Sequence, residues 1–425
     1  MQAMANQLKG AAVFGQSGGP TTVINASMAG AILAAWKTPQ ITDLYGMHNG
    51  ILGLLQEKLY DLRKEGKSSI EALSRCPASA LGSCRQKVKT DADLARIVEV
   101  LQAHNIRYFF YAGGNDSMDT AGKVSKLAAS KGYELRAMGV AKTIDNDLAF
   151  TDHTPGFGSV AKYNATMVME AGRDTDAMYT SDTCTVFETM GRNAGWIAAG
   201  AGMASRHPDD APQLVYVPEC PKTLDQVADE VRAVHKRLGR VFVVASEGLK
   251  DPQGNYLAED KGQFGKDAFG HSQLSGISEV LKHAIESKAG IKARICRPGT
   301  LQRNGMHFAS ATDVKEAYTT GKLAVEWALQ GETGYMVAME RQPGKTYKVK
   351  FVKAKLTDVA NGERKLPREY MNAEGNHISP AFRAYCGPLI KGEAKFDIGK
   401  DGLPVYVRMK RILIAPKCGP WSASK

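Results

Sequence analysis

Arg107-Tyr-Phe-Phe-Tyr-Ala-Gly-Gly-Asn-Asp-Ser117 is an apolar run that breaks off into two glycines and a polar triplet. A short apolar run bounded by turn residues reads as a strand of a parallel sheet, covered by helices on both faces. A second such run, 135–141, ends in Lys142-Thr-Ile-Asp-Asn-Asp147. Both endings therefore fall at the carboxyl ends of neighbouring strands, where open α/β sheets bind ligands. One brings small residues that let a phosphate approach the backbone. The other brings an ammonium and two carboxylates, and together they are suited to phosphoryl transfer.

Outward from these two strands, apolar runs keep alternating with helical stretches. Strand-like runs at 11–15, 184–188, 214–218, 241–245 and 294–296 are followed by helical patterns at 21–36, 193–205, 224–238, 272–287 and 311–329, and the two central strands lead into helices at 117–131 and 160–172. Repeated strand–helix alternation predicts an α/β fold with mostly parallel sheets. With 425 residues there is chain for two or three domains. The expected arrangement is two Rossmann-like lobes with an active-site cleft between them. The loop 151–158 and the segment 303–310 are natural crossings. They place a donor-binding lobe at 1–153, rejoined by about 305–365, and a sugar-phosphate lobe at 154–304, with a basic C-terminal extension at 366–425.

Bulk properties remove several alternatives. The longest apolar stretches, 24–36 and 194–204, fall short of the roughly 20 residues that span a bilayer. The first ten residues lack a basic start followed by an apolar core, so no secretory signal is expected. Seven scattered cysteines without CxxC spacing fit reduced thiols, and the expected compartment is the cytoplasm. Net charge is +11, and residues 341–425 hold 18 Lys/Arg against 7 Asp/Glu, so the last fifth carries the whole imbalance. In Tyr347-Lys-Val-Lys-Phe-Val-Lys-Ala-Lys355 the lysines alternate with apolar residues, as on a strand with one wet face. That pattern argues for a solvated face or an anionic metabolite rather than nucleic acid.

Further strand ends repeat the theme. Gly18 and Gly19, in Gly15-Gln-Ser-Gly-Gly-Pro20, open a helix whose N–H groups could meet a phosphate, although an ordinary tight turn reads the same way. Asn115 and Asp116 can offer oxygens to Mg2+, which takes one or two protein ligands plus substrate phosphates. Asp116 or Ser117 could equally cap the following helix. If 142–147 is extended, Thr143, Asp145 and Asp147 share one side and Lys142 points away unless the chain bends. Paired carboxylates there can divide the work of accepting a proton and holding a metal, and a surface Asx turn is the bland alternative. Arg192 in Met190-Gly-Arg-Asn-Ala-Gly195 could stabilise transferred charge or cap a helix. Glu247 suits sugar hydroxyls or a structural ion pair. Arg294, Arg297 and Arg303 suit a second phosphate or a solvated charge run.

Taken together, Gly18–Gly19, Gly113-Gly-x-x-Ser117, Thr143-Ile-Asp-Asn-Asp147, Met190-Gly-Arg192, Glu247, Arg294 and Leu301-Gln-Arg303 resemble the phosphofructokinase family in identity and order, over about residues 10–330. The resemblance implies phosphorylation of the 1-hydroxyl of fructose 6-phosphate, with Mg2+. By that likeness Asp145 accepts the proton, Asp147 supports it, Thr143 touches the transferring group and Arg192 stabilises the transition state. Ile144, Met190, Gly191, Glu247, Thr300 and Arg303 border or hold the sugar phosphate. Arg294 reaches the 6-phosphate of a neighbouring subunit, implying a homodimer or homotetramer with shared active sites. Gly18, Gly19 and Ser117 cradle the donor.

The donor is read from two positions. ATP-using members of the family generally have Gly where this chain has Asp116 and Lys142, and diphosphate-using members resemble it at both. An Asp at 116 sets bulk and negative charge where a nucleotide's α-phosphate would lie, while Lys142 offers a cation to diphosphate. Diphosphate is therefore the expected donor, with an ATP-dependent enzyme and a non-catalytic homologue as the rivals. Three departures from the family pattern stand out: Asn115 replaces a metal-associated Asp, and Thr183 and Thr300 replace an Arg and a His of the 6-phosphate pocket. Lys345 and Arg368 of the basic tail are candidates to make up the lost charge.

Overall fold

The computed structural model describes residues 8–421 apart from 89, 179, 260–273 and 275. The amino-terminal residues 1–7, and 272, 273 and 275 of the helical pattern 272–287, lie outside the described residues. In chain order the strands are β1 (Gly10–Gln16), β2 (Ile41–Met47), β3 (Leu59–Asp61), β4 (Ile106–Gly113), β5 (Arg136–Ala141), β6 (Cys184–Thr189), β7 (Leu214–Tyr216), β8 (Val241–Ser246), β9 (Ala293–Cys296), β10 (Tyr335–Arg341) and β11 (Val349–Lys355). Seven form one sheet in the order β11-β10-β5-β4-β1-β2-β3, and four form another in the order β7-β8-β6-β9. Every pairing is parallel except β2 with β3 and β10 with β11, at the two margins of the larger sheet.

Period-two alternation explains how β4 can be apolar throughout. Phe109 and Tyr111 face the helices Asp91–Ala103 and Asn115–Ser130, whereas Tyr108 and Phe110 face Ile24–Trp36 and Ala311–Leu329. Both faces are covered, as a parallel sheet requires. On the edge strand β11, by contrast, Lys350, Lys353 and Lys355 are exposed but do not share a face: Lys350 lies on the side of Val352 and Ala354, and Lys353 and Lys355 on the side of Phe351, so the single wet face expected from the alternation is not formed. Three strands escaped the sequence reading. Thr42 and Asp43, both exposed, interrupt β2; β3 is only three residues long; and β10 follows the helical pattern 311–329 directly and precedes the lysine-rich run.

Two crossings set the site. After β3 the chain returns to lay β4 on the opposite side of β1, so the connections diverge between those two strands. After β5 it leaves for the helix Phe157–Ala177 and the smaller sheet, and it comes back through Leu301–Asn304 to Ala311–Leu329, β10 and β11. Residues beyond 365 then enter cores on both sides. Leu366, Met371, Phe382, Tyr385 and Leu389 pack around Phe157 and Trp196, while Ile414 and Trp421 rest on the core of the larger sheet. Among the described residues no helix is long and apolar enough to cross a membrane. All seven cysteines are free.

Candidate active site

The carboxyl ends of β1, β4, β5, β6 and β8 open onto one cleft of about 310 Å³. β1 ends in Gln16, whose buried amide holds the next turn: it donates to the Asn25 side chain at 2.9 Å and accepts from the Leu81 N–H at 3.0 Å. Gly18 follows with φ +73°, a conformation that side chains rarely adopt. Its N–H donates to the Cys84 carbonyl and its own carbonyl accepts from Ser83 Oγ at 2.5 Å. The loop carrying these residues thereby brings Arg85 to the cleft.

At the end of β4 the helix Asn115–Ser130 starts from Gly114 with no side-chain cap. Ser117 packs against Gly113, and the half-exposed Asp116 lines the cleft, 3.4 Å from the Lys87 ammonium. The capping alternative for Asp116 and Ser117 is thus not what the helix uses. Beyond β5 the chain leaves the extended path, bending at Ile144 and Asp145, and Asn146 then takes φ +55°. Lys142, Thr143, Asp145 and Asp147 all line the cleft, where strict alternation would have turned Lys142 away. The Lys142 ammonium is buried and donates to the Gly19 carbonyl at 2.8 Å, and Thr143 Oγ1 accepts from the Asp145 N–H at 3.1 Å.

The smaller sheet supplies the opposite wall with Met190, Arg192 and Glu247. The Glu247 carboxylate accepts from the Gly191 N–H at 3.2 Å, and Ser246 Oγ donates to the Gly191 carbonyl at 2.6 Å. Arg303 arrives from the short helix Leu301–Asn304 with its guanidinium against Gly19, and its carbonyl accepts from Thr22 Oγ1 at 3.2 Å.

Burial dominates the electrostatics. It pulls the Lys142 ammonium down to about 8 against the opposing pull of Asp145 and Asp147. It pushes the Asp145 carboxyl up, helped by Glu247 and resisted by Lys142, Arg192 and Arg303. Asp147 is raised by burial, then by Asp145 and Glu363, and Glu247 is raised chiefly by burial. A carboxylate poised above its ordinary range beside buried cations is the environment of a general base.

Not every expected residue reaches the cleft. Ile144 is buried in the core beside Phe157. Arg294 sits exposed on the edge strand β9, paired with Asp182, and Arg297 pairs with Glu188 and Glu279. Strand geometry therefore separates these two from Arg303, and the three do not form one anion site in the chain. Thr300 is exposed at the start of its helix, and Thr183 bonds His235 at 2.8 Å. In the tail, Lys345 is exposed, and the Arg368 guanidinium donates to the carbonyls of Met371, Asn372 and Ala373. Neither lines the cleft. Arg85, Asn193 and Glu363, which do, went unnoticed in the sequence. Arg85 lies in an irregular stretch without periodicity, and Glu363 is brought in by its bridge to Leu148, a tertiary event.

Among the described residues no group of three or more His, Cys, Asp or Glu could hold a metal. That suits Mg2+, which is commonly held by one or two carboxylates and substrate phosphates rather than by an all-protein cage. Asn115 and Asp116, where the cleft meets the end of β4, fit such a partial ligand set.

A family model described as phosphofructokinase matches residues 11–328. A protein of Xanthomonas campestris pv. campestris named pyrophosphate–fructose 6-phosphate 1-phosphotransferase is 46% identical over 416 residues, covering 96% of this chain and 98% of the relative. A crystal structure of pyrophosphate-dependent phosphofructokinase from Marinobacter aquaeolei superposes with a TM-score of 0.89 at 40% identity, over 98% of this chain and 100% of the other. That of the enzyme from Nitrosospira multiformis gives 0.88 at 41%, over 97% and 99%.

Proposed function

The chain belongs to the phosphofructokinase family, and from that premise we propose that it transfers a phosphoryl group reversibly from diphosphate to the 1-hydroxyl of fructose 6-phosphate. The products are fructose 1,6-bisphosphate and phosphate. Asp145 takes the proton of the 1-hydroxyl as that oxygen attacks the terminal phosphorus. The bridging P–O bond breaks, and phosphate leaves with the electron pair. Lys142 and Arg192 balance the charge that moves between the oxygens. Thr143 and Asp147 orient the base and the transferring group, and Met190, Gly191, Glu247 and Arg303 hold the sugar phosphate. Asn115 and Asp116 would hold Mg2+, which would supply screening of the donor's charge.

The carrying observation is that Asp116 and the buried Lys142 ammonium both line the cleft. A carboxylate beside a nucleotide's α-phosphate would repel it, though solvent and the neighbouring Lys87 ammonium screen part of that repulsion. A buried ammonium favours a compact, highly charged donor instead. Exposed Arg294 at the sheet edge suits service to a neighbouring subunit, hence at least a homodimer, and seven free thiols suit the cytoplasm. Purified protein given fructose 6-phosphate and Mg2+, with diphosphate and ATP offered in parallel, tests the reading. Turnover with diphosphate alone is expected. Turnover with ATP alone would overturn the donor, and none with either would overturn the catalysis.

A further inference from the structure

Behind the loop that carries Asp145 and Asp147 lies a buried hydrogen-bond network that the transfer itself does not use. Asn146, fully buried, separates the two carboxylates and holds the left-handed φ of +55°. Its amide nitrogen donates to the Tyr385 hydroxyl at 2.9 Å, and its amide oxygen accepts from the Thr154 N–H at 3.0 Å. Tyr385 in turn donates to the Asp152 carbonyl at 2.8 Å and accepts from the Arg364 guanidinium at 3.2 Å. A phenol has one proton and two lone pairs, so this hydroxyl is fully engaged. The Arg364 N–H also donates to the Asp147 carbonyl at 2.8 Å.

The anchor is rigid for reasons separate from the loop. Tyr385 sits on the helix Pro380–Cys386, capped by Ser379, and its ring packs against Phe157, Trp196, Tyr370 and Phe382. A left-handed residue other than glycine persists where its surroundings over-determine it. Here the surroundings are a phenol and a backbone N–H aimed at one amide. We propose that Tyr385 is a positioning residue, acting through Asn146 to hold the Asp145 and Asp147 carboxylates in the geometry that phosphoryl transfer needs. The C-terminal segment is then part of the working active site. The inference rests on the phosphoryl-transfer reading of the cleft.

Tyr385→Phe keeps the ring and removes the hydroxyl. Its kcat with fructose 6-phosphate and diphosphate should fall ~10-fold or more, while KM for each stays within ~3-fold. Asn146→Gly tolerates the positive φ and should lose as much, and the double variant should lose no more than the worse single. Amide hydrogen exchange over residues 142–149 reads the brace without any turnover and should quicken ~10-fold or more in each single variant but not in Tyr406→Phe. Losses that multiply in the double variant, or unchanged exchange in folded Tyr385→Phe, would overturn the proposal. Should Tyr385→Phe fail to fold, Asn146→Gly decides alone, with wild-type kcat and exchange counting against the brace. If the wild type turns over nothing, the phosphoryl-transfer reading fails, and exchange still judges the brace.

Discussion

At Asp145 and Lys142 the chain buries opposite charges that each resist their own ionisation. Asp145 must be a carboxylate to accept a proton, and its raised pKa means that this form is lost as pH falls through a value above the usual aspartate range. Lys142 must be an ammonium, and with its pKa lowered to about 8 that form is lost as pH rises through about 8. The free-enzyme kcat/KM should therefore be bell-shaped, and Lys142→Met should abolish its alkaline limb along with most of its height; pH–rate profiles check both. Asp145→Asn should lower kcat by ~10²-fold or more, the usual contribution of a general base. Asp116→Gly should raise the ratio of ATP to diphosphate kcat/KM by ~10-fold or more, since removing even about 1.4 kcal/mol of repulsion does that. A ratio that does not move would show that the nucleotide is excluded by something other than charge at 116.

Among the elements, the turn after β1 lines the cleft with its backbone at Gly18 and Gly19. Gly18 holds φ +73°, and a Cβ there would lie 3.2 Å from the Lys142 ammonium. Gly18→Ala should accordingly cost about 1–2 kcal/mol of strain and raise KM for diphosphate well above any change in KM for fructose 6-phosphate. Initial-rate kinetics with each substrate varied in turn would show it. A glycine pair after an apolar strand was legible as a tight turn at the mouth of the cleft. What pins it was not: Gln16, Leu81, Ser83 and Cys84 meet only because a long irregular segment folds back over β1.

Across the whole molecule the two sheets point their carboxyl ends at one another, and the tail runs over both. Removing everything after residue 340 strips β11, Leu366, Phe382 and Leu389 from the structure. The expected outcome is loss of cooperative thermal unfolding rather than a selective rise in KM, and a sharp melt from the truncated protein would contradict it. That expectation replaces a phosphate-binding role for Lys345 and Arg368, which the tail's positive charge suggests but their positions do not support.

Sequence alone determined the parallel α/β architecture, because apolar runs such as 107–112 have a two-sided core as their natural home. It also placed ionisable groups at the strand ends, because Lys142, Asp145, Asp147, Arg192 and Glu247 lie just past apolar runs bounded by turn residues. Only the tertiary structure decided which of these groups meet. It turned Lys142 inward where the chain leaves β5, left Arg294 and Thr300 outside the cleft, and brought in Arg85, Glu363 and the Tyr385 brace. The reason is range. Periodicity reports which face of its own element a side chain occupies, whereas a bend held by a phenol 239 residues away leaves no trace in local sequence.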